Sequence, residues 1–136
     1  MTTALPPRFD ITRPEIEEVV TAFYAAVRAH AMLGPVFAVH ITDWPAHERQ
    51  EAAFWAGMIL HEPGDKPNLM MAHLKAGNVR PGMFSAWLQV FDATLQDRLR
   101  PEQAAAWSAL AHNIGRSLRA GVVDKERLPG GIPKLF

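Results

Sequence analysis

Cysteine is absent from the chain, and that one absence removes disulfides, thiolate nucleophiles, zinc–thiolate sites and thiolate-bound iron together. Any metal must rely on His, Asp, Glu, Tyr or Met. Net charge is lacking too: 14 Lys and Arg balance 14 Asp and Glu. Neither nucleic acid nor an anionic membrane is therefore favoured as an electrostatic partner. No stretch reaches the roughly 18 uncharged apolar residues of a membrane span. The opening MTTALPPRFD shows no basic segment followed by an apolar run, so a cytoplasmic location is expected. Runs of alternating β-branched residues, internal repeats and low-complexity tracts are missing. So are a phosphate-binding glycine loop, a dinucleotide fingerprint, a nucleophile elbow and an HExxH pair.

What is present is helical periodicity in a chain of 136 residues, long enough to bury one core without staples. Thr12-Arg13-Pro14-Glu15 fits a capping box with proline near the first helical position. The stripe that follows, Ile16, Val19, Val20, Phe23, Tyr24 and Val27, places Tyr24 on a buried face, with a stop expected at Gly34-Pro35. After a turn ending near Phe37, Thr42 or Asp43 can cap a second helix from about Trp44 to about Leu60. Its inward positions are Trp44, His47, Glu51, Phe54, Trp55, Met58 and Ile59. From Gly82 a third helix carries Phe84, Trp87, Leu88, Phe91 and Leu95. After Pro101 a fourth carries Ala104, Trp107, Leu110, Ala111, Ile114 and Leu118, with its end expected at Gly121. Between His61 and Pro81, prolines 63 and 67 and glycines 64 and 77 predict loops around a helical turn or two. The expected architecture is all-α and a single domain over 1–136: an arm at 1–11, a core at 12–121 and a loosely ordered tail at 122–136.

Amphipathic periodicity calls for aliphatics along the inner face of the second helix, so His47 and Glu51 depart from the local rule in the manner of functional positions. They stand one turn apart and can meet. The bland reading of Glu51 is a rim carboxylate reaching solvent or pairing with Arg49. Tyr24, the one tyrosine, needs a hydrogen-bond partner if buried, and a bound ligand or a backbone carbonyl would serve equally. Trp87 is either plain core or an indole N–H aimed into a cavity. His73, after the apolar patch Leu69-Met70-Met71, suits an imidazole presented from a short irregular helix, or else a surface histidine. Trp44, Trp55 and Trp107 read as core, and His30, His40, His61 and His112 as solvated. HERQE, from His47 to Glu51, pairs His and Glu at i,i+4, a weak hint of a metal site.

Together, Phe23-Tyr24-Ala-Ala-Val27-Arg28, Leu33-Gly34-Pro35-Val36-Phe37, Asp43-Trp44, His47, Phe54-Trp55, His73-Leu74 and Trp87-Leu88-Gln-Val-Phe91 resemble group III truncated haemoglobins in order and spacing, from about residue 12 to 121. The resemblance implies a two-over-two helical sandwich enclosing haem b, with His73 as the proximal iron ligand. It places Tyr24, His47 and Trp87 at distal polar positions and Phe37 against the porphyrin face, with Phe54 among the pocket residues. Lys75 and Arg80 are candidate partners of the haem propionates. It implies oxygen, nitric oxide or carbon monoxide as ligand, an unidentified reductase, and a monomer or weak homodimer. Two other readings stay open: a peroxidase-like or nitric-oxide-detoxifying enzyme in which His47 and Glu51 form an acid–base pair, and a haem-free globin-fold interaction module. The sequence departs from the family in three places. Glu51 replaces an aliphatic residue, and its carboxyl is expected either to be neutral through a raised pKa or to pair with His47. Ala76-Gly77 replaces the Leu-Pro after the proximal histidine, and the tail after Gly121 has no counterpart.

Overall fold

The helix signals are met almost residue for residue at the first element. In a computed structural model, which describes the backbone of residues 5–63 and 81–127 and the side chains of 5–63 and 82–121, α1 spans Arg13–Ala29. Thr12 and Glu15 form the reciprocal capping box, and the buried residues are Ile16, Val19, Val20, Phe23, Tyr24 and Val27. These are the stripe that periodicity defines.

The expected stop at Gly34-Pro35 needs correction. α1 ends at Ala29, and a short α2, Leu33–His40, begins one residue before the glycine, after a bend of 108°. Pro35 lies in the first turn of α2, where a missing N–H removes no helical bond. His30, expected to be solvated, makes the corner: its Nδ1 accepts hydrogen bonds from the backbone N–H groups of Met32 and Leu33, each at 3.1 Å.

α3 spans Trp44–Leu60, and its start is fixed by the Asp43 carboxylate, which accepts from the Ala46 N–H at 3.0 Å. α3 closes at His61 in the left-handed region, φ 59°. α4 runs Pro81–Arg98 and α5 Pro101–Arg127. Gly121 does not end α5. A single glycine weakens a helix by only about 1 kcal/mol, and the helix continues through it into the segment expected to be tail.

α1 packs on α3, and α4 on α5, with α1 meeting α4 across the middle and α2 lying against α1 and α4. This is the expected all-α architecture, two pairs of packed helices laid one over the other. Its centre is aromatic. Trp87 stacks on Phe91 at 5.0 Å, Phe91 stacks on Trp55 at 5.6 Å, and Trp107 closes against both Trp55 and Phe91 at 5.5 Å. Such pairs add to their area burial only modestly, about 1 kcal/mol each. At the chain's start, buried Gln103 of α5 donates from Nε2 to the Asp10 carbonyl at 3.0 Å and to the Glu15 carboxylate, while its Oε1 accepts from the Arg100 N–H. This clasp joins the N-terminal ends of α1 and α5. No single helix among the described residues is long and apolar enough to cross a membrane.

Candidate functional site: a polar pocket between the first three helices

Adjacent residues on a helix point about 100° apart, and α1 uses that divergence to divide two aromatics between two tasks. Phe23 enters the centre, edge-on to Trp87 at 5.2 Å and to Phe91 at 5.0 Å. Tyr24 turns toward α2 and α3, where its ring meets Phe37 at 6.0 Å, Trp44 at 6.2 Å and His47 at 4.8 Å, the last nearly perpendicular. The side chain is buried, at 5% exposure, and its hydroxyl makes no hydrogen bond to any described residue.

The Asp43 cap sets the phase of α3 so that His47, one turn in, faces α1. Its Nε2 is buried and has no hydrogen-bond partner among the described residues. Arg28 closes the same end: its guanidinium lies 5.0 Å above the Trp44 ring and 3.5 Å from the Glu48 carboxylate, while its Nε donates to the Tyr24 carbonyl at 3.4 Å. Arg28 and Trp44 join the site although sequence reasoning passed over the first and gave the second to the core. The one available signal was the i,i+4 spacing of Tyr24 and Arg28.

Burial drives the Tyr24 phenol well above its usual range, and the Glu51 and Glu48 carboxylates push it further. Burial lowers the pKa of His47 and raises that of Glu51 to about 7. Glu51 as a residue keeps some solvent contact, but its carboxyl is desolvated on most sides. Of the two alternatives open for it, the neutral one is favoured. An ion pair with His47 would move the two pKa values in the opposite directions, and no hydrogen bond joins them among the described residues. Nor does Glu51 pair with Arg49.

Tyr24, Phe37 and His47 thus meet through their rings, and Glu51 stands one turn beyond His47 on α3. Trp87 is half-buried and reaches the cluster through Phe23. Phe54 is buried in the core with its ring on Trp55 at 5.1 Å, and none of its described ring contacts is with the Tyr24 cluster. His73, Lys75 and Arg80 lie outside the described residues. Among those described, no three His, Asp or Glu side chains are grouped to hold a metal ion, so HERQE finds no third ligand there.

The unpartnered His47 Nε2 beside the buried Tyr24 phenol and Phe37 fits one face of a haem pocket, polar groups among aromatics that a small polar ligand can partner. No protein-family model matches the chain. It is similar to a group 3 truncated haemoglobin of Campylobacter jejuni, 32% identical over 89 residues, spanning 62% of this chain and 70% of that protein. The crystal structure of a group III truncated haemoglobin from Campylobacter jejuni superposes with a TM-score of 0.78 at 27% identity, covering 82% of this chain and 91% of that one.

Proposed function

Since the chain belongs to the group III truncated haemoglobins, we propose that it carries haem b through His73 and binds oxygen or a related diatomic ligand beside Tyr24. The observation that carries this reading is the buried, unpartnered His47 Nε2, whose ring stands 4.8 Å from that of the buried Tyr24. Leaving a buried polar group unpaired costs roughly 1–3 kcal/mol, and a ligand that accepts a hydrogen bond recovers it.

Haem, when bound, supplies the iron that takes the diatomic ligand; the chain supplies its surroundings. Tyr24 stays a neutral phenol across physiological pH because burial and two nearby carboxylates oppose its ionisation, so it is a permanent donor. His47 is held neutral by burial and offers one ring nitrogen as donor or acceptor. Trp87 supplies a third N–H from the α4 side. Phe37 forms an apolar wall, while Phe54 packs in the core against Trp55. Lys75 and Arg80 would pair with the haem propionates. A reductase keeps the iron ferrous, and the protein works in the cytoplasm.

Absorption spectra of the ferric, dithionite-reduced and air-exposed protein, beside His73→Ala, test the assignment. An intense Soret band that depends on His73 is expected. Failure to retain haem even after reconstitution would refute the reading and leave a globin-fold interaction module.

A further inference from the structure

Three polar side chains belong to the pocket, and two of them, His47 and Glu51, keep partial contact with water. Tyr24 is buried and His47 Nε2 is sealed from solvent, whereas Glu51, one turn beyond His47 on α3, keeps partial exposure and lies near enough to Tyr24 for its charge to be felt there. Among the described residues its carboxyl has no salt-bridge or hydrogen-bond partner. Arg28 on α1 is engaged with Glu48, and the groups contributed by α2 and α4, Phe37 and Trp87, do not titrate. A largely desolvated carboxylate without a partner costs stability, and an aliphatic residue would fit the apolar face better.

We propose that Glu51 is the proton acceptor of this pocket, serving small weak acids that enter as neutral HX and are held as the anion, such as hydrogen cyanide, hydrogen sulfide and hydrogen peroxide. The H–X bond breaks, its electron pair stays on X, and the proton adds to a Glu51 carboxylate oxygen. Nothing is oxidised or reduced in this step. The exposed edge of Glu51 then returns the proton to solvent. His47, whose burial disfavours its protonated form, positions the ligand and does not take the proton. Near neutral pH Glu51 exists in both forms, so it both accepts and releases the proton there.

This rests on the haem reading, and its test separates the two. Cyanide association with the ferric protein is followed by the Soret shift in wild type, Glu51→Gln and Glu51→Asp between about pH 6 and 8. Carbon monoxide association with the ferrous protein is the control, since that ligand has no proton to lose. General-base catalysis contributes on the order of a hundredfold or more. Glu51→Gln is therefore expected to slow cyanide at least about tenfold more than carbon monoxide and to abolish the rise in cyanide rate as pH passes about 7. Glu51→Asp should restore part of that rise. Equal slowing of both ligands, or of neither, overturns the proposal. Independently of ligand binding, an infrared titration should show a carboxylic-acid C=O band that ionises near neutral pH in wild type and is missing from Glu51→Gln; its absence from wild type also overturns it. A missing Soret band, by contrast, refutes the haem assignment while the infrared result still judges Glu51.

Discussion

Glu51→Gln exposes the cost of keeping a carboxylate in this pocket. Burial raises its pKa from 4.5 to about 7, a rise of about 2.5 (7 − 4.5), and each pKa unit corresponds to about 1.4 kcal/mol. The product is near 3 kcal/mol, and the solvent contact that Glu51 retains brings it to about 2–3 kcal/mol. The sign follows from the direction of the shift. Glu51 binds its proton more tightly in the folded protein, so wild type has this stability below pH 4.5 and loses it as pH rises to about 7. Gln does not titrate. The stability of Glu51→Gln relative to wild type should therefore grow by about 2–3 kcal/mol between about pH 5 and 8. For a chain of 136 residues, an unfolding entropy of about 2.1 cal/mol/K per residue makes that a relative Tm gain of about 7–10 °C. Urea and thermal unfolding of both proteins at the two pH values, in one ligation state, measure it. Using the difference between pH values cancels whatever else the amide changes. Parallel pH profiles would show that the carboxyl is solvated, and the polar-pocket description of Glu51 would fall with it.

Tyr24→Phe removes the donor and should speed oxygen release roughly tenfold to a hundredfold, the equivalent of about 1–3 kcal/mol; stopped-flow ligand replacement reads it, and an unchanged rate excludes Tyr24 from its role. Gly34→Ala should lower stability by about 1–3 kcal/mol, because a Cβ there would stand 2.8 Å from the Arg28 carbonyl oxygen and 3.2 Å from that of Val27. Both obstacles are backbone, so α2 must shift; a urea midpoint equal to wild type would contradict that geometry. Thr12→Ala dismantles the capping box and should cost about 1 kcal/mol with little effect on ligand kinetics, and loss of ligand binding in this variant would show that the cap does more than start α1.

The long helices were legible because each carries its own start signal and a stripe of fixed period. Thr12 with Glu15, Asp43 before Trp44-Pro45, and Pro101 mark three helix starts where the structure has them. α2 was not legible. Gly34-Pro35 is usual stop chemistry, and what makes it a beginning is the His30 corner, a contact no periodicity encodes. Gly121 misled in the opposite direction, since an isolated glycine ends a helix only where the chain can turn away. At the site, Tyr24, His47 and Glu51 could be picked out by their place on inward faces, and the structure sets the rings of the first two 4.8 Å apart. Phe54 shared the same face, but its described contacts lie in the core. The Arg28–Trp44–Glu48 arrangement and the Asp92 carboxylate, which accepts from Ser108 at 2.7 Å and lies 2.8 Å from His112 Nε2, depend on packing between helices. His112 therefore read as solvated although it links α4 to α5.

The Gln103 clasp makes one end of the sandwich behave as a fulcrum. It fastens the first turn of α1 to the first turn of α5 through Asp10 and Glu15, and Phe9 beside Trp107 at 6.4 Å reinforces the same corner. Tyr24 sits nine residues along α1 from Glu15, a lever arm of about 13 Å at 1.5 Å per residue. Small tilts of α1 about the fulcrum are thus magnified where Tyr24 meets His47. Amide exchange should be slowest around Ile16–Val20 and quicken toward Ala29, so that the end of α1 that carries Tyr24 is also the end with the most freedom to move.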